Sequence, residues 1–242
     1  MLIVDKLCKD YGKFRAVNEV SFNIMPGEIF GFLGVNGAGK TTTLRMLAGV
    51  LRPSSGSIQI SKFNMATEPI QAKQITGYIP DRPYMYNKLT GREFLYFICE
   101  LYKIKAEIAE ERIDKLLGEY SLKDWQDELI ESYSHGMKQR LATCSALVHE
   151  PQLLIVDEPM VGLDPHGAKF LKESFKQYAK KGTSILLSTH TLSVAEELAD
   201  RIAIIHKGAI LTVGTLAEIR ALVGGTDEGL ENIFINLTSS AM

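Results

Sequence analysis

Short apolar runs recur along the chain and are typical of strands that are buried on both faces. The clearest examples are residues 29–33, 153–156 and 184–188. Apolar residues also fall at helical spacing over residues 41–51, 165–180 and 192–199. Strands that alternate with helices predict an α/β fold with a mostly parallel sheet, whose ligand lies at the carboxyl ends of the strands.

The middle of the chain has a different pattern. Residues 91–117 carry few strand signals, and one helical face is apolar, with Phe94, Leu95, Ile98, Leu101 and Tyr102. We therefore predict that residues 82–150 form a mainly helical lobe, which is inserted into an α/β core of residues 1–81 and 151–224. A helix is expected within this lobe at about residues 141–148.

The two ends of the chain give weaker patterns. Short strands are expected at residues 2–4, 20–24, 201–205 and 209–213. The last two are joined by Lys207 and Gly208, which predicts a hairpin. Residues 225–242 are expected to form an amphipathic helix docked on the core, because apolar residues recur at Leu230, Ile233, Phe234 and Leu237.

The composition is ordinary for a soluble globular protein, with 242 residues, 45% hydrophobic and 23% charged. A net charge of −2 gives no positive field that would attract nucleic acid, so no nucleic-acid partner is expected. The chain has no signal-peptide pattern and no apolar run of the roughly 18 residues that a membrane span needs. Together with three widely spaced cysteines, this predicts a cytoplasmic protein that meets a membrane only through a partner.

The strongest chemical motif is a glycine-rich loop between the strand at 29–33 and the helix at 41–51. Its glycines let the backbone N–H groups wrap around phosphate oxygens at a helix N-terminus. Lys40 supplies a positive charge for the β and γ phosphates, and the Thr41 hydroxyl can bind Mg²⁺. The predicted cofactors are ATP and Mg²⁺, bound by Gly34, Asn36, Gly37, Ala38, Gly39, Lys40, Thr41 and Thr42.

Acidic residues follow the apolar strand at 153–156. Asp157 can hold Mg²⁺, and Glu158 is suited to orient and deprotonate an attacking water. An Asp-Glu-Pro sequence after a strand is also common in plain turns, but a phosphate loop in the same sheet favours the catalytic interpretation. His190 directly follows the strand at 184–188, so its place on the ligand side of the sheet favours a contact near the γ-phosphate over a structural role.

A second anion site is suggested by the segment from Ser134 to Arg140, although a simple capped helix would give the same pattern. The order of all these motifs, with Gly162-Leu163-Asp164-Pro165 between Glu158 and His190, resembles the nucleotide-binding subunit of an ATP-binding cassette (ABC) transporter. The resemblance covers essentially the whole chain. It implies an ATPase core with an antiparallel β layer, an inserted helical lobe and a head-to-tail dimer that sandwiches two ATP molecules.

The resemblance also implies roles for single residues. Tyr11 matches the aromatic residue that stacks on adenine, although it could be a plain surface tyrosine. Ser134 and Gly136 match the signature positions that contact the γ-phosphate of ATP on the opposite subunit. Glu158 matches the general base, His190 the switch histidine, and Asp164 the residue that couples the two sites.

Two departures from the family pattern stand out. The signature usually reads Leu-Ser-Gly-Gly-Gln, and here His135 introduces a bulky group beside the phosphate contact, a variant that resembles exporter branches. Asp81 stands where the family usually has glutamine, and its carboxylate can still reach Mg²⁺ or a water bound to it.

The segment 82–89 is rich in tyrosine and methionine and has no helical period. It is either a loop packed on its own lobe or, as the resemblance implies, the border of a groove for a multispan membrane subunit. We expect the ATP-hydrolysing subunit of a membrane transporter, of the exporter type, located peripherally on the inner face of the cell membrane. The alternatives are a soluble ABC ATPase acting on ribosomes or DNA, and a nucleotide-binding regulator without turnover.

Overall fold

The computed structural model describes residues 1–222 together with residues 232, 234, 235 and 238. The strands are β1 Leu2–Tyr11, β2 Phe14–Ile24, β3 Ile29–Leu33, β4 Ser55–Ile60, β5 Phe63–Asn64, β6 Thr76–Ile79, β7 Leu153–Asp157, β8 Ser184–Thr189, β9 Arg201–His206 and β10 Ala209–Gly214. The helices are α1 Lys40–Leu47, α2 Pro69–Gln74, α3 Gly91–Leu101, α4 Ala106–Glu119, α5 His135–Leu147, α6 Pro165–Lys180, α7 Leu192–Leu198 and α8 Leu216–Leu222.

The main sheet has six strands in the order β10-β9-β3-β8-β7-β6. The five strands from β9 to β6 are parallel, and β10 closes one edge as the antiparallel half of a hairpin. β3, β7 and β8 are buried at every position, as expected of central strands covered on both faces. The predicted α/β fold with a mostly parallel sheet is therefore confirmed, and the loops after β3, β7 and β8 share one edge.

The antiparallel layer is the second sheet, in the order β2-β1-β4-β5. The strand expected to start at residues 2–4 does begin at Leu2, and residues 20–24 lie in β2. Both strands are longer than expected, because β1 and β2 have 10 and 11 residues and form one long hairpin. The ladder between them shifts register between Val4 and Leu7, near a left-handed backbone conformation at Lys6. Such bulges break the alternation of apolar and polar residues that marks a strand in the sequence.

The helical lobe contains α3, α4 and α5, which share one apolar cluster with the α6 side of the core. The helix expected at about 141–148 in fact begins at His135, with Ser134 as its N-cap, so the expected start is wrong by six residues. The first turn of α5 has few apolar residues, so the spacing of apolar residues in the sequence does not show where this helix begins. The helix α1 is shorter than expected, because it ends at Leu47 rather than at residue 51. Gly49, two residues beyond this end, has a φ of +66°, the left-handed conformation that is common after a helix.

Two side-chain contacts join the lobe to the core. The Tyr120 hydroxyl lies 2.6 Å from the Ser174 hydroxyl on α6, and both residues are buried. The rings of Tyr102 and His149 stack with centroids 3.8 Å apart, and His149 Nε2 lies 3.2 Å from the carbonyl oxygen of Thr76 on β6. The first contact holds the end of α4 against α6, and the second holds the end of α5 against the edge of the main sheet.

The predicted C-terminal helix at 225–242 lies outside the described residues, apart from isolated positions such as Phe234, which packs near α8. Within the described part of the chain, no helix combines the length and apolar character needed to cross a membrane. The three cysteines are free and buried.

Candidate active site

The glycine-rich loop connects β3 to α1 and packs directly against the backbone of neighbouring segments. A Cβ at Gly34 would lie 2.5 Å from the Ile205 carbonyl oxygen, which leaves no room for a side chain. Gly39 has a φ of +106°, and a Cβ there would lie 2.7 Å from the Ala16 carbonyl oxygen. The sequence therefore needs glycine at both positions to form this tight loop.

Lys40 is the first residue of α1 and its side chain is buried in the loop. Its Nζ donates to the carbonyl oxygens of Gly34 at 2.7 Å and Val35 at 3.2 Å, and it lies 3.3 Å from Glu158 Oε1. The N-terminus of α1 has no side-chain cap and no acidic residue in its first turn. An ammonium group and free N–H groups therefore meet at one point, which is the arrangement that binds a phosphate.

Asp157 ends β7 and is fully buried. Its Oδ1 accepts a hydrogen bond of 2.5 Å from the Ser188 hydroxyl on β8, whereas its Oδ2 is buried and has no hydrogen-bond partner among the residues that the structure describes. Burial raises the pKa of the Asp157 carboxyl, and the hydroxyls of Ser188 and Thr41 oppose that rise. An unpaired carboxylate oxygen fits a Mg²⁺ ion, which is usually held by one or two protein carboxylates together with substrate phosphates.

Glu158 follows directly in a left-handed backbone conformation, with a φ of +49°. Its N–H donates to the Ser188 hydroxyl at 3.1 Å. Its side chain is largely buried, and Oε2 lies 3.0 Å from Nδ1 of His190 while Oε1 faces Lys40. The carboxylate that follows β7 is thus held between the phosphate loop and the residue that follows β8. Strained backbone of this kind is a feature of functional sites.

Lys40, Thr41 and Glu158 open onto a cleft of about 430 Å³. It is lined by Tyr11, Phe14, Ala16, Asn36, Gly37, Gly39, Lys40, Thr41, Thr42, Asp81 and Glu158. Ala38 lies in the same loop but is buried beneath it. The cleft therefore collects most of the expected nucleotide and metal residues, including Asp81.

The two aromatic residues that line this cleft lie at the tip of the β1–β2 hairpin. Tyr11 and Phe14 are cross-strand partners, so their rings project from the same face of the hairpin. Both are exposed, by 51% and 66%. The Lys9 ammonium lies 5.4 Å from the Tyr11 ring centroid, and the hairpin is braced by the ion pair between Arg15 and Asp10 at 2.8 Å.

The other expected site residues lie elsewhere. Ser134, Gly136 and Asp164 line a separate cleft of about 350 Å³, which shares no lining residue with the first. Ser134 caps α5 by accepting from the Met137 N–H at 3.3 Å, and Asp164 caps α6 by accepting from the Gly167 N–H at 2.6 Å. The structure thus does not bring the signature residues of one chain to its own phosphate loop.

His135 has a contact that the sequence did not indicate. Its side chain lines the cleft of Ser134 and Gly136, as expected of a bulky group beside the phosphate contact, and its ring also lies against the turn before Asp164, with Nε2 3.4 Å from the Val161 carbonyl oxygen. A Cβ at Gly162 would lie 3.0 Å from this nitrogen. The side chain therefore links the start of α5 to the segment that leads into α6.

The segment 82–89 has both features that the sequence suggested, a side packed on its own lobe and an exposed aromatic side. Met85 is buried and belongs to the apolar cluster of the lobe. Tyr84 is 90% exposed, and Tyr86 is half exposed with its ring edge-on to Phe97 at 5.4 Å. One side of the segment is thus packed on the lobe, and the other presents tyrosines to the surface.

Ser188 and Phe14 are site residues that the sequence analysis missed. Ser188 contacts both acidic residues from the adjacent strand, and Phe14 lines the cleft beside Tyr11. The available signals were a hydroxyl near the end of a buried strand and an aromatic residue three positions after Tyr11.

Comparison with known proteins decides the family. The sequence model of the family described as ABC transporter matches residues 17–161. The chain is 36% identical to the ABC-type transporter ATP-binding protein EcsA of Bacillus subtilis, over 98% of this chain and 96% of that protein. The chain belongs to the ABC transporter family. It is also 36% identical to the linearmycin resistance ATP-binding protein LnrL of Bacillus subtilis, over 93% of this chain and 72% of that protein.

A solved structure described as the ATP-binding subunit of an ABC transporter superposes with a TM-score of 0.93 at 34% identity, covering 98% of this chain and 99% of that one. The predicted resemblance and fold are therefore confirmed. Membership in this family also confirms the predicted ATP binding and ATPase activity.

Proposed function

We propose that this chain is the Mg²⁺-dependent, ATP-hydrolysing subunit of an ABC exporter and that it works as a head-to-tail homodimer. One observation carries the proposal. The hydrolytic groups and the signature residues Ser134 and Gly136 lie in two separate clefts of the same chain. Each chain carries both sets of residues, but because they lie in different clefts they do not act together on one nucleotide within that chain. A second copy of the chain completes the site when its signature residues close over the hydrolytic groups of the first.

The first cleft has a phosphate end and a base end. The loop N–H groups and Lys40 bind the phosphates, and the Tyr11 ring stacks on the base. Thr41, Asp157 and Asp81 would hold Mg²⁺, which would neutralise charge on the β and γ phosphates. The unpartnered Oδ2 of Asp157 supports this assignment.

Hydrolysis requires Glu158 to be free to act as general base. In this structure Oε1 faces the Lys40 ammonium at 3.3 Å. When Lys40 turns to the phosphate oxygens, this oxygen becomes available to take a proton from the attacking water. His190 holds the other carboxylate oxygen, so that the base is aimed at the γ-phosphate end of the cleft.

The homodimer closes each cleft with the α5 N-terminus of the other copy. Ser134 and Gly136 then contact the γ-phosphate through the hydroxyl and the free N–H groups of that helix end. Asp164 lies in the same cleft as Ser134, which supports a role for it in coupling the two sites. ATP binding favours the dimer, because the nucleotide contacts both copies, and hydrolysis releases it.

The membrane partner is a multispan subunit that docks around residues 82–89, which places the chain at the inner face of the cell membrane. The exposed Tyr84 and Tyr86 support this surface, since tyrosine is enriched at interfaces. A relative named for resistance to a compound favours export over import, because export removes a compound from the cell. The transported substrate is selected by the membrane subunit.

Replacing Glu158 by glutamine tests the proposed base and the dimer together. We expect turnover to fall by about 100-fold or more, as for removal of a general base, while MgATP converts the purified protein to a stable dimer in light scattering. Glu173→Gln, on the exposed side of α6, is the matched control and should keep wild-type turnover. Wild-type hydrolysis by the Glu158 variant would contradict the assignment of the base.

The membrane partner needs its own experiment. Tagged Glu158→Gln chain is purified from solubilised membranes of its own source, with and without alanine at Tyr84 and Tyr86. The proposal expects a multispan protein to co-purify only when both tyrosines are present. In the chain that retains Glu158, the same two alanine substitutions should leave the ATPase activity of the purified protein unaltered. Capture of ribosomes or DNA in place of a membrane protein would contradict it.

A further inference from the structure

The turn between β9 and β10 is hydrogen-bonded both to the phosphate loop and to β2. The Gly208 N–H donates to the Ala38 carbonyl oxygen of the phosphate loop at 2.9 Å. The Gly208 carbonyl oxygen accepts from the Asn18 N–H at 2.8 Å, and Asn18 lies on β2, in the hairpin that carries Tyr11 and Phe14. One residue therefore bonds the phosphate loop through its donor and the hairpin through its acceptor.

The packing around this turn leaves no space. Gly208 has a φ of +82°, and a Cβ there would lie 2.8 Å from the Ala16 carbonyl oxygen. The same oxygen would lie 2.7 Å from a Cβ at Gly39, and the Gly208 Cα would lie 3.5 Å from that Cβ. Three stretches of backbone, from β2, the phosphate loop and the turn, thus meet at contact distance. Backbone cannot rotate out of the way as a flexible side chain can, so a side chain at Gly208 would have to displace a whole segment and change the spacing.

We propose that Gly208 is a positioning residue that sets the distance between the base end and the phosphate end of the cleft. This inference rests on the function proposed above, in which Tyr11 stacks on the base while the loop binds the phosphates. A nucleotide has a defined length from base to phosphates. Stacking therefore adds to its affinity only when the hairpin stands at the matching distance from the loop.

The test compares two ligands that differ in the base. Equilibrium binding of ATP and of inorganic triphosphate, each with Mg²⁺, is measured for wild type and Gly208→Ala. The added methyl group pushes β2 away, so the dissociation constant for ATP should rise by about 5-fold or more, up to about 150-fold if the whole stack is lost. The constant for triphosphate should change by less than about 2-fold, since the loop is retained.

Two further variants control for backbone strain. Gly182→Ala, in the turn between α6 and β8, creates the same kind of strain at a φ of +101° but meets nothing within 4 Å. It should leave both affinities unchanged. If Gly208→Ala does not fold, Gly208→Asn places a Cβ at the same point with less strain, since asparagine tolerates a positive φ.

Tyr11→Ala separates this inference from the function on which it rests. It should weaken ATP but not triphosphate, and adding Gly208→Ala to it should cause no further loss. If Tyr11→Ala leaves ATP affinity unchanged, base stacking itself is wrong and the positioning role is wrong with it. If Tyr11→Ala weakens ATP but Gly208→Ala does not, or weakens both ligands equally, only the positioning role is overturned.

Discussion

Replacing Ser188 by alanine removes the hydroxyl that joins the two acidic residues of the site. It donates to the fully buried Asp157 carboxylate at 2.5 Å and accepts from the Glu158 N–H at 3.1 Å. The same strand offers a matched control in Ser184, which is also fully buried but lies at the opposite end. Ser184 donates to the Met25 carbonyl oxygen at 3.0 Å and accepts from the Gly27 N–H at 3.0 Å.

The difference between the two serines sets the expected magnitudes. A hydrogen bond to a charged group contributes about 1.5–3 kcal/mol, against about 0.5–1.5 kcal/mol for a neutral pair. Ser188→Ala should thus lower the free energy of unfolding by about 3 kcal/mol and Ser184→Ala by about 1–2 kcal/mol. Ser188→Ala also loosens Asp157 and Glu158, so turnover should fall by about 10- to 100-fold, whereas Ser184→Ala should leave it unchanged.

Urea denaturation gives the free energies, and steady-state hydrolysis at saturating MgATP gives the turnover. Loss of the hydroxyl also removes a group that lowers the pKa of Asp157, so the acidic limb of the pH–rate profile should move to higher pH. Equal destabilisation by the two substitutions, with wild-type turnover in both, would refute the idea that Ser188 supports the acidic pair.

Two further predictions concern the joint between the helical lobe and the core. Burial lowers the pKa of His149 to about 4 from the ordinary 6.5, so its contribution to stability is present above pH 6.5 and is lost as the pH falls towards 4. Wild type should lose about 2 kcal/mol through this group between pH 7 and pH 5. His149→Phe, which keeps the ring stack on Tyr102, should remove that loss in urea denaturation at the two pH values. Ser174→Ala leaves the buried Tyr120 hydroxyl without a partner and should cost about 1–3 kcal/mol, which adding Tyr120→Phe should partly restore. Additive losses in this double-mutant cycle would contradict the hydrogen bond.

The central sheet was predictable because its strands are continuous apolar runs, a pattern that buried parallel strands require. The β1–β2 hairpin was not, because left-handed residues such as Lys6 and Glu19 interrupt its alternation. The start of α5 was missed for a related reason. Its first turn is polar because it faces a cleft, so only the Ser134 cap marks it.

The residues of the site also divide into those that could be predicted from the sequence and those that could not. The phosphate loop and the pair Asp157 and Glu158 could be predicted because each is a local sequence that follows a predicted strand. Ser188 could not, because it meets Asp157 only through strand pairing across 31 positions of the chain. The linking role of Gly208 is equally invisible in sequence, since it depends on three backbone segments meeting in space.

A mixing experiment tests most directly whether each site is built from two copies. Lys40→Ala removes the phosphate-binding ammonium, and Gly136→Asp places a negative charge at the signature. Gly136 has room for a side chain, because the nearest atom to a Cβ there would be Leu163 Cδ2 at 3.8 Å. Each variant alone should be inactive.

Mixed in equal amounts, half of the randomly paired dimers contain one chain of each kind, and each of these has one intact site. The account therefore predicts that the mixture recovers about a quarter of wild-type hydrolysis. A mixture as inactive as its two components, or wild-type activity of the Gly136 variant alone, would contradict the claim that a second copy completes the site.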